Sequence, residues 1–489
     1  MRLKLKLLKI SAGKPVVFLH EVDAKKIGIH VGDRVTISSK RDSFVAIVDL
    51  VRGFIKRKEV ALSEELSYFL KSHNGYVEVL PSEVAESSTI LQNQSNCREY
   101  TAKELDKIMS DIVNNLLTEA EIAYFISTMT HCKASLKEII NLTKAVVKTG
   151  SKIKWPYKIV ADKHCIGGIP ANRTTPIVVS ICAAAGVIMP KTSSRAITSA
   201  AGTADAIESM SPIDLSIQDI KRIVKKTGAC LAWGGSLGLA PVDDKLIRVE
   251  KLLRVDPEAQ LLASILAKKL SVGSTHVLID IPYGDGAKVS HERAEKLGIL
   301  FVNLGKHLGL KVKTVLTYGR EPIGNGVGPI LEMKDVLRVL KQDNSPKDLE
   351  EKSLFLAANI LEMVGKAKAG KGILKAKEVL YSGQAYKKFS EIISAQGGDA
   401  KAWLPEAKFN HTIISNKPGI VQKISNQNIN YLARISGCPV DKASGVYLYK
   451  HMGEKISTGD KIITIFSESK TKLNEAVKFF NKQRPIVIQ

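Results

Sequence analysis

From Lys158 to Gly319 short apolar runs alternate with helix-length segments, and each run closes on glycines or a small-residue loop: KIVADKH, GVIMPKTSS, CLAWGGS, HVLIDIP and LKVKTVLTYG. Runs of that length, bounded by turns and separated by helices, build strands joined by crossovers. The centre of the chain is therefore expected to be an α/β domain with a mixed, mostly parallel sheet. At 489 residues the chain is too long for one core, and about three domains are expected. The apolar segment IVVSICAAAGVIM between Pro176 and Pro190 falls short of the ~20 residues of a membrane span, so it reads as a buried helix and no membrane partner is expected.

The flanks follow other rules. Residues 1–84 alternate polar and apolar, as in Leu3-Lys4-Leu5-Lys6-Leu7 and Arg34-Val35-Thr36-Ile37, around the turn Val31-Gly32-Asp33, which predicts a small β-rich domain. A polar linker from Glu86 to Arg98 leads into helical patterns at 101–117, 118–131 and 135–149, with capping boxes expected at Thr101/Glu104 and Thr118/Glu121. Residues 85–157 and 243–271 are read as a helical domain, 158–242 and 272–409 as the α/β domain. After about residue 410 the helices are expected to stop, and GVYLYKHMGEKISTGDKIITIFS alternates again, so 410–489 is read as a second β-rich domain. It resembles a lipoyl-type sandwich without the Met-Lys-Met carrier signature.

The N-terminus MRLKLKLLKI has no apolar core followed by a cleavage site, so the expected location is the cytoplasm. Cys97, Cys132, Cys165, Cys182, Cys230 and Cys438 form no C-x-x-C pair and lie far apart in sequence. Reduced thiols are expected, and no metal site. Lysine and arginine exceed aspartate and glutamate by 72 to 49, a net charge of +23, which calls for an anionic partner. An RNA-binding protein is the contrasting reading. Only 6% of residues are aromatic and the charge is spread, residues 1–84 holding 15 basic against 10 acidic side chains, so no specific nucleic-acid partner is expected.

Three segments could carry chemistry. In Lys158–Pro170 a strand runs through Asp162, Lys163, His164 and Cys165 into Gly167-Gly168, with Pro170 expected near the first turn of a helix. Bare backbone N–H groups, a helix dipole and the Lys163 ammonium suit a phosphate there. An ordinary strand-to-helix turn is the plain alternative. Thr192 to Thr203 gathers hydroxyls and Arg195, donors suited to phosphate or ribose oxygens, though a Ser/Thr loop capping a helix explains it equally well. In Arg254 to Lys269, Asp256 precedes Pro257 as an N-cap would. Ser264 and Lys268 share a helical face, and Lys268 and Lys269 read as solvated.

Taken together these segments resemble the thymidine phosphorylase superfamily, and within it the archaeal AMP phosphorylase branch. The resemblance runs through DKHCIGGIPANRTTPIVV, IMPKTSSRAITSAAGTADAIE, WGGSLGLAPVDDKLIRVE, DPEAQLLASILAKKLSVGS, GDGAKV, EPIGNGVGPILEMKDVLRVL and YSGQAYKKFSEIISAQGGD, most of residues 100–400. It implies a helical domain and an α/β domain with the site in the cleft between them. The implied reaction is reversible phosphorolysis of AMP, with CMP and UMP also accepted, giving the free base and ribose 1,5-bisphosphate. By position, Lys163, Ser193 and Thr203 match phosphate contacts. Gly168, Ser194, Arg195, Ala196, Ile197, Thr198, Ser199, Thr203, Ser264 and Lys288 match nucleotide contacts, and Asp256 falls on the proton donor.

The same resemblance implies no cofactor, inorganic phosphate as co-substrate, and a homodimer that assembles into a larger homo-oligomer. Thymidine or pyrimidine-nucleoside phosphorylase is the neighbouring alternative. The chain departs from the pattern at Cys165, where a serine is usual, at Ala171 and Gly238, where glycine and asparagine are usual, and at Asn325, where arginine is usual.

Overall fold

The computed structural model describes residues 1–39, 43–67, 75–94, 97–196 and 199–489. The chain folds as two compact units, Met1–Gly150 with Ala240–Ser264, and Ser151–Leu239 with Ile265–Gln489.

The first unit opens with a closed barrel of six strands: β1 (Arg2–Leu7), β2 (Val16–His20), β3 (Arg34–Ser38), β4 (Ser43–Val51), β5 (Glu59–Leu62) and β6 (Tyr76–Pro81), in the order β1-β5-β2-β4-β3-β6. β1 runs parallel to β5 and β2 to β4; the other pairs are antiparallel. Alternation does what it promised. Leu3, Val17, Leu19, Val35, Ile37, Val60 and Val79 fill the interior, and closure leaves no open sheet edge.

Helices Ala102–Val113, Glu119–His131 and Leu136–Lys148 follow, the first two held by the expected capping boxes at Thr101/Glu104 and Thr118/Glu121. The helix Pro241–Leu253 returns to this unit. From it Lys245 Nζ donates to the carbonyls of Ile112 (2.8 Å) and Val113 (2.7 Å), placing a cation on the negative end of a neighbouring helix.

Two sequence expectations fail in the flanks. Cys97 and Cys132 form a disulfide, with Cα atoms 5.3 Å apart across 35 residues, so these thiols are not reduced. Cys97 follows the helix Glu86–Gln92 and Cys132 caps Glu119–His131. Those helices are bonded through Ser88 Oγ and the Glu121 carboxylate, which brings the sequence-distant cysteines together.

The C-terminal module is not β-rich alone. Its sheets, β12 (Gly326–Val327)-β15 (Gly445–Leu448)-β17 (Lys461–Ser467)-β13 (Phe409–Ile414) and β16 (Lys455–Ile456)-β14 (Gly419–Ile424)-β18 (Ile486–Ile488), pack with the helices Asn426–Ser436 and Lys470–Gln483. Ile429, Leu432 and Ala433, then Leu473, Ala476 and Phe480, recur at helical spacing behind the caps Ser425 and Ser469, and that period overrides the strand reading.

The centre of the second unit is α/β, as expected. β7 (Ala161–Cys165), β10 (His276–Tyr283) and β11 (Lys311–Tyr318) pair in parallel in the order β11-β10-β7. β8 (Met189–Ser193) and β9 (Ala229–Trp233) form a second parallel pair. The Ala161 N–H donates to the Ile188 carbonyl (2.8 Å), tying the two sheets together where β7 meets β8. The helix Thr174–Ala184 is buried along Thr174–Ala183, as its apolar sequence requires. Among the described residues no helix is long and apolar enough to cross a membrane.

Candidate active site

Strands β7, β8 and β10 carry buried charge along their length, where a core should be neutral. Asp162 is fully buried and pairs with Lys269 (2.7 Å) and Lys191 (3.5 Å). Asp280, equally buried, pairs with Lys352 (3.3 Å), while Lys163, 1% exposed, donates to Thr174 Oγ1 (2.8 Å). Lys269 is therefore not solvated as its sequence context suggested. It sits one position after Lys268 on the inward face of the helix Glu258–Val272, where Asp162, 107 residues away in sequence, receives it.

Two buried carboxylates thus face four buried lysines among the described residues. Burial lowers Lys163 below the usual lysine range and pushes Lys191 down to about 7 against the pull of Asp162. Burial would raise Asp162, but Lys191 and Lys269 more than offset it and leave its carboxyl low. Burial and the surrounding lysines drive His164 far below its ordinary value, so its imidazole is neutral at pH 7. A cluster of buried lysines whose charged form is disfavoured by burial is stabilised by an anion.

The loop after β7 is longer than a simple strand-to-helix turn. The helix begins at Thr174, not at Pro170, because Gly167 (φ +89°), Gly168 (φ +95°), Ala171 (φ +58°) and Asn172 (φ +38°) keep the backbone left-handed through the loop. A Cβ on Gly168 would lie 3.1 Å from both Cγ and N of Lys288, so glycine lets the Gly284–Lys288 turn cross against the loop and brings Lys288 beside it. Cys165 accepts a hydrogen bond from Asn172 Nδ2 (3.5 Å), and burial with nearby Asp280 keeps its thiol protonated.

The hydroxyl loop is organised by residues outside the hydroxyl run itself. Asp205 accepts from the N–H groups of Ala196 (2.7 Å) and Gly202 (2.8 Å), drawing the loop closed. A Cβ on Gly202 would strike the Ser194 carbonyl at 2.5 Å. Ser193 ends β8, its carbonyl held by the Gly234 N–H (3.0 Å), the Ser194 carbonyl takes the Ala204 N–H (3.3 Å), and Ser199 Oγ donates to the Ala201 carbonyl (2.7 Å).

Thr203 Oγ1 accepts from Arg173 Nη1 (2.6 Å), and the same guanidinium donates to the Ala201 carbonyl (2.9 Å) and pairs with buried Glu332. Burial pushes Glu332 up to about 7 despite Arg173. Arg195 spends its charge within the protein: it binds Glu208 through both nitrogens (2.8 and 2.7 Å), reaches Asp205 (3.3 Å) and lies over the Trp233 ring. Ile197 and Thr198 lie outside the described residues.

Lys163, Thr203, Gly168 and Lys288 thus share one region: Lys163 touches Thr174, the neighbouring Arg173 holds Thr203, and Gly168 abuts Lys288. Asp162, Arg173, Lys191, Asp205, Lys269 and Glu332 were missed from sequence. Only Asp205, three residues after Gly202 at a helix start, left a local signal there.

Asp256 and Ser264 belong to the other unit. Ser264 Oγ donates to Asp243 Oδ2 (2.9 Å), a fully buried carboxylate that also receives Gln260. Asp256 is exposed and stands two residues before the helix Glu258–Val272. The Pro257 carbonyl accepts the Leu261 N–H (2.9 Å), so Pro257 occupies the N-cap position expected for Asp256.

Three domain families match the chain: the glycosyl transferase family a/b domain over residues 157–386, the pyrimidine nucleoside phosphorylase C-terminal domain over 420–487, and the molydopterin dinucleotide binding domain over 3–91, the barrel. The AMP phosphorylase of Thermococcus sibiricus is 41% identical over 494 residues, covering 100% of this chain and 98% of its own. That of Pyrococcus furiosus is also 41% identical with the same coverage. AMP phosphorylase 1 of Archaeoglobus fulgidus is 39% identical over 98% of this chain and 95% of its own. Anthranilate phosphoribosyltransferase from Thermus thermophilus shares the fold, with a TM-score of 0.52 and 16% identity over 65% of this chain and 100% of its own.

Proposed function

The chain belongs to the AMP phosphorylase family, and from that premise we propose that it catalyses the reversible phosphorolysis of AMP. The observation that carries the reading is the buried surplus of lysines over aspartates around β7, β8 and β10. A buried charge without a partner costs several kcal/mol, and bound phosphate supplies the missing negative charge. Lys163, Ser193 and Thr203 hold the phosphate. Gly168, Ser194 to Ser199, Thr203, Ser264 and Lys288 hold the nucleotide.

A phosphate oxygen bonds to the anomeric carbon as the bond to the base breaks. The electron pair leaves with adenine, a proton delivered through Asp256 neutralises it, and ribose 1,5-bisphosphate remains. General acid assistance of this kind contributes about 10²- to 10⁴-fold. CMP and UMP enter by the same chemistry, which needs no cofactor beyond phosphate. Adenine release from AMP is followed by chromatography with and without inorganic phosphate. Release is expected only with phosphate, and equal release in both overturns phosphorolysis. The match of residues 420–487 makes thymidine and uridine the comparison substrates, and faster cleavage of either than of AMP moves the enzyme to the nucleoside branch.

A further inference from the structure

One helix of the C-terminal module, Asn426–Ser436, reaches both loops of the site. Asn426 and Asn430 stand one turn apart on it and so share a face. Asn426 is buried, and its Nδ2 donates to the carbonyls of Gly319 (3.1 Å) and Gly286 (3.3 Å). Gly286 lies in the turn that carries Lys288, and a Cβ on Gly319 would come 2.6 Å from Ile169 of the loop after β7. Asn430 Oδ1 accepts the Ala200 N–H (3.0 Å) in the hydroxyl loop. The apolar core of the module also takes in Ala171 and Ala200, one residue from each loop.

We propose that this helix is a positioning element of the active site, Asn426 and Asn430 fixing the Lys288 turn and the hydroxyl loop at one separation. The chemistry at the two positions is opposite. Both partners of Asn426 are carbonyls, so only a donor serves there. The partner of Asn430 is an N–H, so only an acceptor serves. Asparagine meets both demands, whereas aspartate, isosteric but without donors, meets only the second.

The inference rests on the reading that these two loops hold the nucleotide. Asn430→Ala, Asn430→Asp, Asn426→Ala and Asn426→Asp are compared for kcat and for KM of AMP and of phosphate, with amide hydrogen exchange of residues 199–203 measured without substrate. Asn430→Ala should raise KM for AMP by roughly 3- to 10-fold, the loss of one neutral hydrogen bond, and speed exchange at Ala200. Asn430→Asp should stay near wild type in both. At position 426 the order reverses, and aspartate should be worse than alanine because it sets a carboxylate against two carbonyls.

Aspartate failing equally at both positions, or no variant differing from wild type, overturns the inference. Should Asn430→Ala fail to fold, Asn430→Asp and the protection of the wild-type Ala200 amide still decide it. If wild type releases adenine without phosphate, the functional reading fails, while the exchange pattern still tests the clamp.

Discussion

Glu332→Ala tests the deepest support of the hydroxyl loop. Glu332 and Arg173 side chains are 1% and 9% exposed, and Arg173 Nε donates to Glu332 Oε2 at 2.6 Å. Removing one partner of such a buried pair leaves the other charge stranded and costs about 3–5 kcal/mol. The freed guanidinium is also the group that holds Thr203 Oγ1 and the Ala201 carbonyl, so phosphate and AMP should bind more weakly along with the loss of stability. Glu332→Gln keeps the shape and one neutral acceptor and should cost less.

The pH dependence adds a second signature. Burial raises Glu332 from an ordinary 4.5 to about 7, so between those values the folded protein holds a proton that the unfolded chain has lost. The contribution of this group to stability therefore falls as pH rises through that window, by at most about 1.4 kcal/mol per pH unit, and is constant above it. The glutamine variant should lack that slope. Urea unfolding from pH 4.5 to 8 with steady-state kinetics at pH 7.5 checks both. A loss under about 1 kcal/mol in Glu332→Ala with unchanged KM values would refute the anchoring role.

Four further outcomes are expected. Asp256→Asn should lower kcat by roughly 10²-fold or more with little change in AMP binding by calorimetry, because an amide keeps the shape and cannot give up the acidic proton; normal turnover removes Asp256 from the mechanism. Cys132→Ser opens a cross-link spanning 35 residues, and chain entropy sets the cost at about 4 kcal/mol in urea unfolding; an unchanged midpoint contradicts the disulfide. Ala171→Gly relieves a φ of +58° but gives up a buried methyl, so a net gain of up to about 1 kcal/mol is expected, and a clear loss argues against the left-handed loop. Burial would lower His451, but Glu321 at 3.1 Å and Asp348 raise it; its contribution is therefore present below the ordinary histidine value and lost as pH rises through the folded one, a slope that His451→Gln should flatten in urea titrations.

The sequence by itself determined what depends on near neighbours. Thr101 and Glu104, or Thr118 and Glu121, cap helices because their partners are three residues away. Leu3 and Leu5 point into the barrel because side chains alternate along any strand. Even the misread helices Asn426–Ser436 and Lys470–Gln483 carried their period openly; the strand-like alternation between them drew the reading the wrong way.

Only the tertiary structure decided which charges are buried. Lys269 and Lys268 are neighbours of the same type, yet Lys269 meets Asp162 across 107 residues. Arg173 meets Glu332 across 159, and Asn430 reaches Ala200 across 230. No local pattern encodes such contacts, because the free energy of a charge or an amide depends on what the fold brings within about 4 Å of it, and that set is fixed only when the strands, loops and distant helix close on one another.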